Sequence, residues 1–229
     1  MYAARFASRV LGSVKHSVAL IVFLTCTGCA GTVPLTGTAS LTGTLPPSTK
    51  MADGVVVPGG FPAGYLDFCR RHAAYCQSPQ NSEAVPVVSV SGALAESLNE
   101  INRTTNQEIA RTTDREAFGK DQYWEPARTK GDCKAIALRK MEKLLALGLP
   151  RSALRLAVAR TEAGAGHAVL TIDTAEGTYV LDSRFAQMRD WASLPYTMWT
   201  REHLHAAGWD FPPLDASGKV HEITLASKL

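Results

Sequence analysis

Gly131-Asp132-Cys133-Lys134-Ala135-Ile136-Ala137-Leu138-Arg139-Lys140-Met141-Glu142-Lys143-Leu144-Leu145-Ala146-Leu147-Gly148-Leu149-Pro150 is the stretch on which the fold turns. Ala137, Met141, Leu144 and Leu145 recur at helical spacing and make one apolar stripe. Asp132 stands where an N-cap belongs. Gly148 and Pro150 stop the helix as a C′ glycine and a following proline do. Cys133 therefore occupies the first turn, at the N-terminal end of the stripe. Unpaired backbone N–H groups and the helix dipole there favour a thiolate and could hold a developing oxyanion. A buried inert thiol is the alternative for any single cysteine.

Downstream, Leu154, Leu156 and Val158 alternate with other residues as in a strand. His167 to Thr174 and Thr178 to Ser183 are two β-rich runs around Ala175-Glu176-Gly177, a hairpin signal. Gly164-Ala165-Gly166 lets the chain turn tightly into the first run and leaves the His167 ring accessible. Asp182 follows Tyr179-Val180-Leu181, where a buried carboxylate costs several kcal/mol unless paired. If the hairpin loop is 174–177, Asp182 faces Val169 and lies diagonal to His167, within side-chain reach. A three-residue loop would put the two on opposite faces. A cysteine at a helix N-terminus, a histidine on a strand and a carboxylate to orient it follow the logic of an activated nucleophile.

Upstream, Tyr65 to Tyr75 reads as a short helix and 91–110 as an amphipathic one, with Ser91 as N-cap. Residues 112–131 are polar, carry Gly119, Pro126 and Gly131, and read as a long loop. Tyr123 and Trp124 in it are either packing residues or one wall of a substrate cleft, with the indole N–H open to an oxyanion. Beyond Arg184, Trp191, Pro195, Tyr196 and Trp199 suggest irregular chain packed over the sheet. His203-Leu204-His205 resembles a metal pair only superficially, because no third ligand is near.

The first residues differ from the rest. Arg5, Arg9 and Lys15 precede an apolar run, Val18 to Leu24, too short to span a bilayer. We read 1–29 as an export signal, with either ordinary cleavage near Ala30 to Ala39 or lipidation of Cys29. Residues 30–60, rich in Gly, Thr and Pro, read as a flexible tether, and 61–229 as the folded domain. Once the leader is removed, Cys69, Cys76 and Cys133 remain, and an oxidising compartment invites one bridge and one free thiol. Cys69 and Cys76 on a continuous helix would lie roughly 10 Å apart. A disulfide needs under about 7 Å, so if they pair, the helix ends between them, near His72 to Tyr75. The net charge of +3 gives no reason to expect nucleic acid as a partner.

Several short segments together resemble the bacterial transglutaminase-like cysteine peptidases, from about Gly64 to Trp199. They are Asp67-Phe68-Cys69 with Cys76, Ile101-Asn102-Arg103, Thr113-Asp114-Arg115, Tyr123-Trp124, Gly131-Asp132-Cys133, Leu147-Gly148-Leu149-Pro150, Gly166-His167-Ala168-Val169-Leu170 and Val180-Leu181-Asp182. Each is weak alone; their order and spacing are specific. The resemblance implies an α+β fold with a papain/transglutaminase-like core, the nucleophile helix packed on an antiparallel sheet. It also implies a periplasmic location and a Cys133, His167, Asp182 triad. Characterised members are similar in releasing surface adhesins under calcium control. The family usually has Glu-Asp after the cysteine, whereas Lys134 and Ala135 stand here. A lysine removes an oxygen ligand and adds positive charge, so no calcium or other cofactor is expected. The expected activity is cleavage of a protein substrate, cell-surface or periplasmic, through a thioester acyl-enzyme, with a regulatory membrane protein as a candidate partner. Transfer of the acyl group to an amine needs the same triad, and a non-catalytic binding module is the reading from another class.

Overall fold

Two neighbouring strands, β4 (Leu154–Arg160) and β5 (Gly166–Asp173), lie at the centre of a seven-stranded sheet. The described residues of this computed structural model are Ser48, Lys50, Met51, 55–56, 60–76, 88–203 and 208–211. The expected export signal, Cys29, His205 and most of the expected tether lie outside them. The remaining strands are β1 (Val55–Val56), β6 (Thr178–Leu181), β7 (Arg189–Asp190), β8 (Thr197–Glu202) and β9 (Trp209–Phe211). Their order is β1-β9-β8-β4-β5-β6-β7, every pair antiparallel.

The helix that follows Asp132 forms as its sequence predicts. Here α5 (Cys133–Ala146) is capped by Asp132, whose side chain accepts from the N–H groups of Lys134 and Ala135. It ends at Gly148, φ 92°, with Leu149 N–H returning to Leu144 and Gly148 N–H to Leu145. Its buried Ala137, Leu138, Met141 and Leu144 pack with Leu154, Leu156, Val158, Ala168, Leu170 and Ile172. Each of the Leu, Ile, Val and Met side chains contributes roughly 1.5–3 kcal/mol when taken out of water, so this packing, not intrinsic propensity, holds the helix. The opposite face of the sheet buries Ala157, Ala159, Val169 and Val180 beneath Leu194 and Tyr196. The mixed architecture is α+β, with α5 laid on an antiparallel sheet.

The β5–β6 register pairs Asp173 with Thr178 and Leu170 with Leu181. The loop is thus the four residues 174–177, and continuing the ladder sets Asp182 opposite Val169. Thr174 Oγ1 accepts from the N–H groups of Glu176 and Gly177, which closes the turn.

Three expectations are corrected. Residues 112–131 are not one loop: α4 (Asp114–Phe118) forms within them, started by a reciprocal capping box between Thr113 and Glu116 and ended at Gly119. A short parallel pair, β2 (Ala110–Arg111) with β3 (Lys130–Gly131), closes the segment at its base. Among the described residues beyond Arg184, Trp191, Tyr196 and Trp199 do pack over the sheet, but the chain is not irregular throughout, because β8 sits inside the sheet beside β4. Its charged residues disguised it. Arg201 and Glu202 are buried because they pair with Asp173 at 3.0 Å and Arg151 at 2.8 Å, and Arg155 reaches Asp210 at 2.9 Å. Finally, ordered chain begins before Phe61. Ser48 donates to Thr178 O, Met51 is buried, and β1 pairs with β9.

The N-terminal helix is broken where a bridge requires it. α1 (Tyr65–Arg71) ends at His72, α2 (Ala73–Cys76) follows, and Cys69 and Cys76 are disulfide-bonded with Cα atoms 5.5 Å apart. α1 starts at Gly64, φ 79°, where a Cβ would stand 1.8 Å from Gln122 O, so only glycine lets α1 approach the chain just before Trp124. The longer helix α3 (Gly92–Glu108) has Ser91 as its cap and packs on α5.

Candidate active site

Cys133 opens α5 and is 6 % exposed. Its sulfur accepts from the N–H of Ala168, the residue after His167, at 3.4 Å. His167 is the second residue of β5, so the helix N-terminus and the strand's start meet at these two side chains. The His167 Nε2 lies 2.6 Å from Asp182 Oδ1. All three side chains are buried. Burial pulls the His167 pKa down, but its hydrogen bond to Asp182 and the negative charge of Asp182 and of the Cys133 sulfur outweigh it and raise it to about 9. Asp182 moves the other way. Burial pushes its carboxyl up, while bonds from His167, Tyr196 and the Arg184 N–H bring it below its ordinary value.

Tyr196 is a site residue that sequence reasoning left as packing. Its hydroxyl donates to Asp182 Oδ2, and its ring meets His167 edge-on at 5.7 Å. Nothing in its spacing signals this, since it reaches Asp182 from the far side of the β6–β7 connection. Arg184 completes the enclosure, donating its backbone N–H to Asp182 Oδ1 at 2.8 Å and stacking on Tyr196 at 5.4 Å.

A polar network backs the carboxylate. Asn106 Nδ2 donates to Asp182 O and Phe185 O; Asn102 Nδ2 donates to Phe185 O and Ala186 O. Lys140, on α5, donates to Asn102 Oδ1 at 2.7 Å. Both helices thus grip the turn that carries Asp182.

Trp124 is not a cleft wall. It is 0 % exposed, packs edge-on against Tyr65 and Trp209, and gives its indole N–H to Ala63 O at 2.9 Å. A buried indole N–H must find a partner, and a backbone carbonyl supplies it here. Tyr123 remains partly accessible under Arg71, 4.2 Å from its ring centre. His203 bonds through Nδ1 to Asp210, a strand contact. The oxyanion reading narrows too. Asp132 occupies the N–H groups of Lys134 and Ala135, so Cys133 N–H is the helix-terminal donor left to it.

The family model of the bacterial transglutaminase-like cysteine proteinases matches residues 58–210. The chain belongs to that family. It is a transglutaminase-like cysteine peptidase. Solved structures of LapG from Legionella pneumophila are similar to this family member. One, 26 % identical, covers 46 % of this chain and 66 % of its own, with a TM-score of 0.38. A calcium-bound form, 23 % identical, covers 59 % and 82 % with a TM-score of 0.40. An EGTA-treated form, 22 % identical, covers 64 % and 81 % with a TM-score of 0.38. No curated protein matches. The family is periplasmic. Among the described residues no helix is long and apolar enough to cross a membrane.

Proposed function

We propose that this peptidase is exported and cleaves a protein substrate with Cys133 as nucleophile, His167 as acid and base, and Asp182 as the group that orients the imidazole. The observation that carries the reading is His167, held by Asp182 at 2.6 Å, beside a Cys133 sulfur that accepts the N–H of the next residue, Ala168, at 3.4 Å. An imidazolium is the counter-charge a thiolate needs. In the first half-reaction the sulfur attacks the peptide carbonyl, the oxyanion meets the Cys133 N–H, and His167 passes its proton to the leaving amine. In the second, His167 takes a proton from water, whose oxygen attacks the thioester and releases the acid and the thiol. An amine in place of water would give acyl transfer through the same residues.

The substrate class we favour is a periplasmic or cell-surface protein, with Tyr123 as one flank of its site and a membrane protein as regulator. Anchoring through a lipidated Cys29 accords with that setting. A thiol-reactive acyl probe at neutral pH tests the core of the proposal. Wild type should label far faster than His167→Ala. Equal labelling would make Cys133 an ordinary buried thiol and leave the chain as a binding module.

A further inference from the structure

The calcium control implied by the family resemblance meets an obstacle one residue from the nucleophile. Lys134 is 2 % exposed, and its ammonium lies between two carboxylates, bonded to Asp132 and 2.8 Å from Asp114. Both acids are themselves buried. Asp132 Oδ1 is taken by the helix N–H groups of Lys134 and Ala135, and Asp114 Oδ2 also accepts from Tyr123 N–H at 2.9 Å. Asp114 Oδ1 alone has no hydrogen-bond partner among the described residues. A calcium ion takes six to eight oxygens. Two carboxylates already bonded to an ammonium and to backbone do not offer them, and the buried Ala135 adds none. The donor set does not fit the ion.

The same contacts say what the lysine does instead. Burial disfavours its charge, but Asp132 and Cys133, together with the hydrogen bonds it donates to both acids, keep the ammonium protonated above its ordinary range. Without it, two buried carboxylates would face each other, and burial and the Asp132 charge already push Asp114 up. Asp114 begins α4, and its carboxylate also holds the backbone at Tyr123. The ammonium therefore ties the 114–123 segment to the first turn of the nucleophile helix.

We propose that Lys134 is a built-in cation of this active site: it takes the place of a metal ion between Asp114 and Asp132, seats the 114–123 segment on α5, and makes the peptidase independent of calcium. The inference rests on the peptidase reading above, and its test separates the two. Thermal unfolding of the whole protein is followed with EGTA and with millimolar calcium, for wild type, Asp132→Asn, Lys134→Arg and Lys134→Met, alongside acyl-probe labelling of Cys133. Wild type should keep the same Tm and labelling rate in both media. Lys134→Met, which strands two buried acids, should lose on the order of 10 °C in Tm and label more slowly, and Lys134→Arg should recover part of both. A wild-type Tm that rises with calcium, with the rise abolished in Asp132→Asn, would overturn the proposal. So would Lys134→Met with wild-type Tm and labelling. If Lys134→Met does not fold, the calcium arm on wild type decides alone. Absence of fast labelling in wild type would sink the peptidase reading, while the Tm arm would still judge the cation.

Discussion

Asp182 Oδ1 holds His167 Nε2 at 2.6 Å across two strands whose register sets the aspartate opposite Val169, one pair beyond the last ladder contact. The bond stabilises the charged imidazole, and this has a signed consequence for pH. The folded-state pKa of His167 is raised to about 9 from an ordinary 6.5. Its contribution to stability is therefore fully present below pH 6.5 and is lost as pH rises through about 9. The activity limb that needs an imidazolium should fall on the alkaline side near pH 9. In Asp182→Asn it should move to lower pH, with kcat reduced. A pH profile of probe labelling and of hydrolysis for both proteins checks this. An unmoved limb would remove Asp182 from the pair.

Tyr196→Phe should separate orientation from charge. Loss of a hydrogen bond to a charged group is worth about 1.5–3 kcal/mol, so kcat should drop by about tenfold to a hundredfold. The carboxylate becomes more basic without the hydroxyl. The alkaline limb should therefore stay or rise, unlike that of Asp182→Asn. A downward shift would mean that Tyr196 acts on His167 by another route.

Lys140 carries a pH signature of its own. Burial lowers its pKa to about 7, offset in part by Asp182. Between about 7 and the ordinary 10.5 the unfolded chain binds more protons than the folded one, so stability rises with pH across that window and is flat below it. Lys140→Met should lose this slope, although it also leaves Asn102 Oδ1 short of its donor. Denaturant midpoints from pH 6 to 10 for both proteins read the difference; parallel curves would show that the buried amine does not titrate there.

Reducing the Cys69–Cys76 bridge should cost only about 2 kcal/mol, because it closes a short loop. The bridge lies in the α1–α2 corner, and Cys133 is the free thiol among the described residues. Tm should fall by several degrees in reductant. Cys69→Ser/Cys76→Ser should keep the wild-type rate of Cys133 labelling once folded. Equal loss of both would tie the corner to the nucleophile's surroundings.

The sequence by itself determined the parts governed by short-range rules. Asp132 and Gly148 bound α5 through cap chemistry, Ala175-Glu176-Gly177 marked the β5–β6 hairpin while leaving its loop length open, and a Cys69–Cys76 bridge, if formed, required a helix break near His72. Those rules act over a few residues, so composition and spacing expose them. The capping box of Thr113 and Glu116 was legible by the same logic and was masked by the polar run around it. What tertiary structure decided were the partners of buried polar groups. Arg201 and Glu202 lie buried in an inner strand because Asp173 and Arg151 stand beside them. Tyr196 became a neighbour of Asp182, Trp124 withdrew into the core by bonding Ala63, and Lys134 found Asp114 twenty residues upstream. A charge or a hydroxyl is buried only when its counterpart arrives from elsewhere in the chain, and which counterpart arrives is fixed by the packing of α4, α5 and the sheet, where spacing along the chain carries no signal.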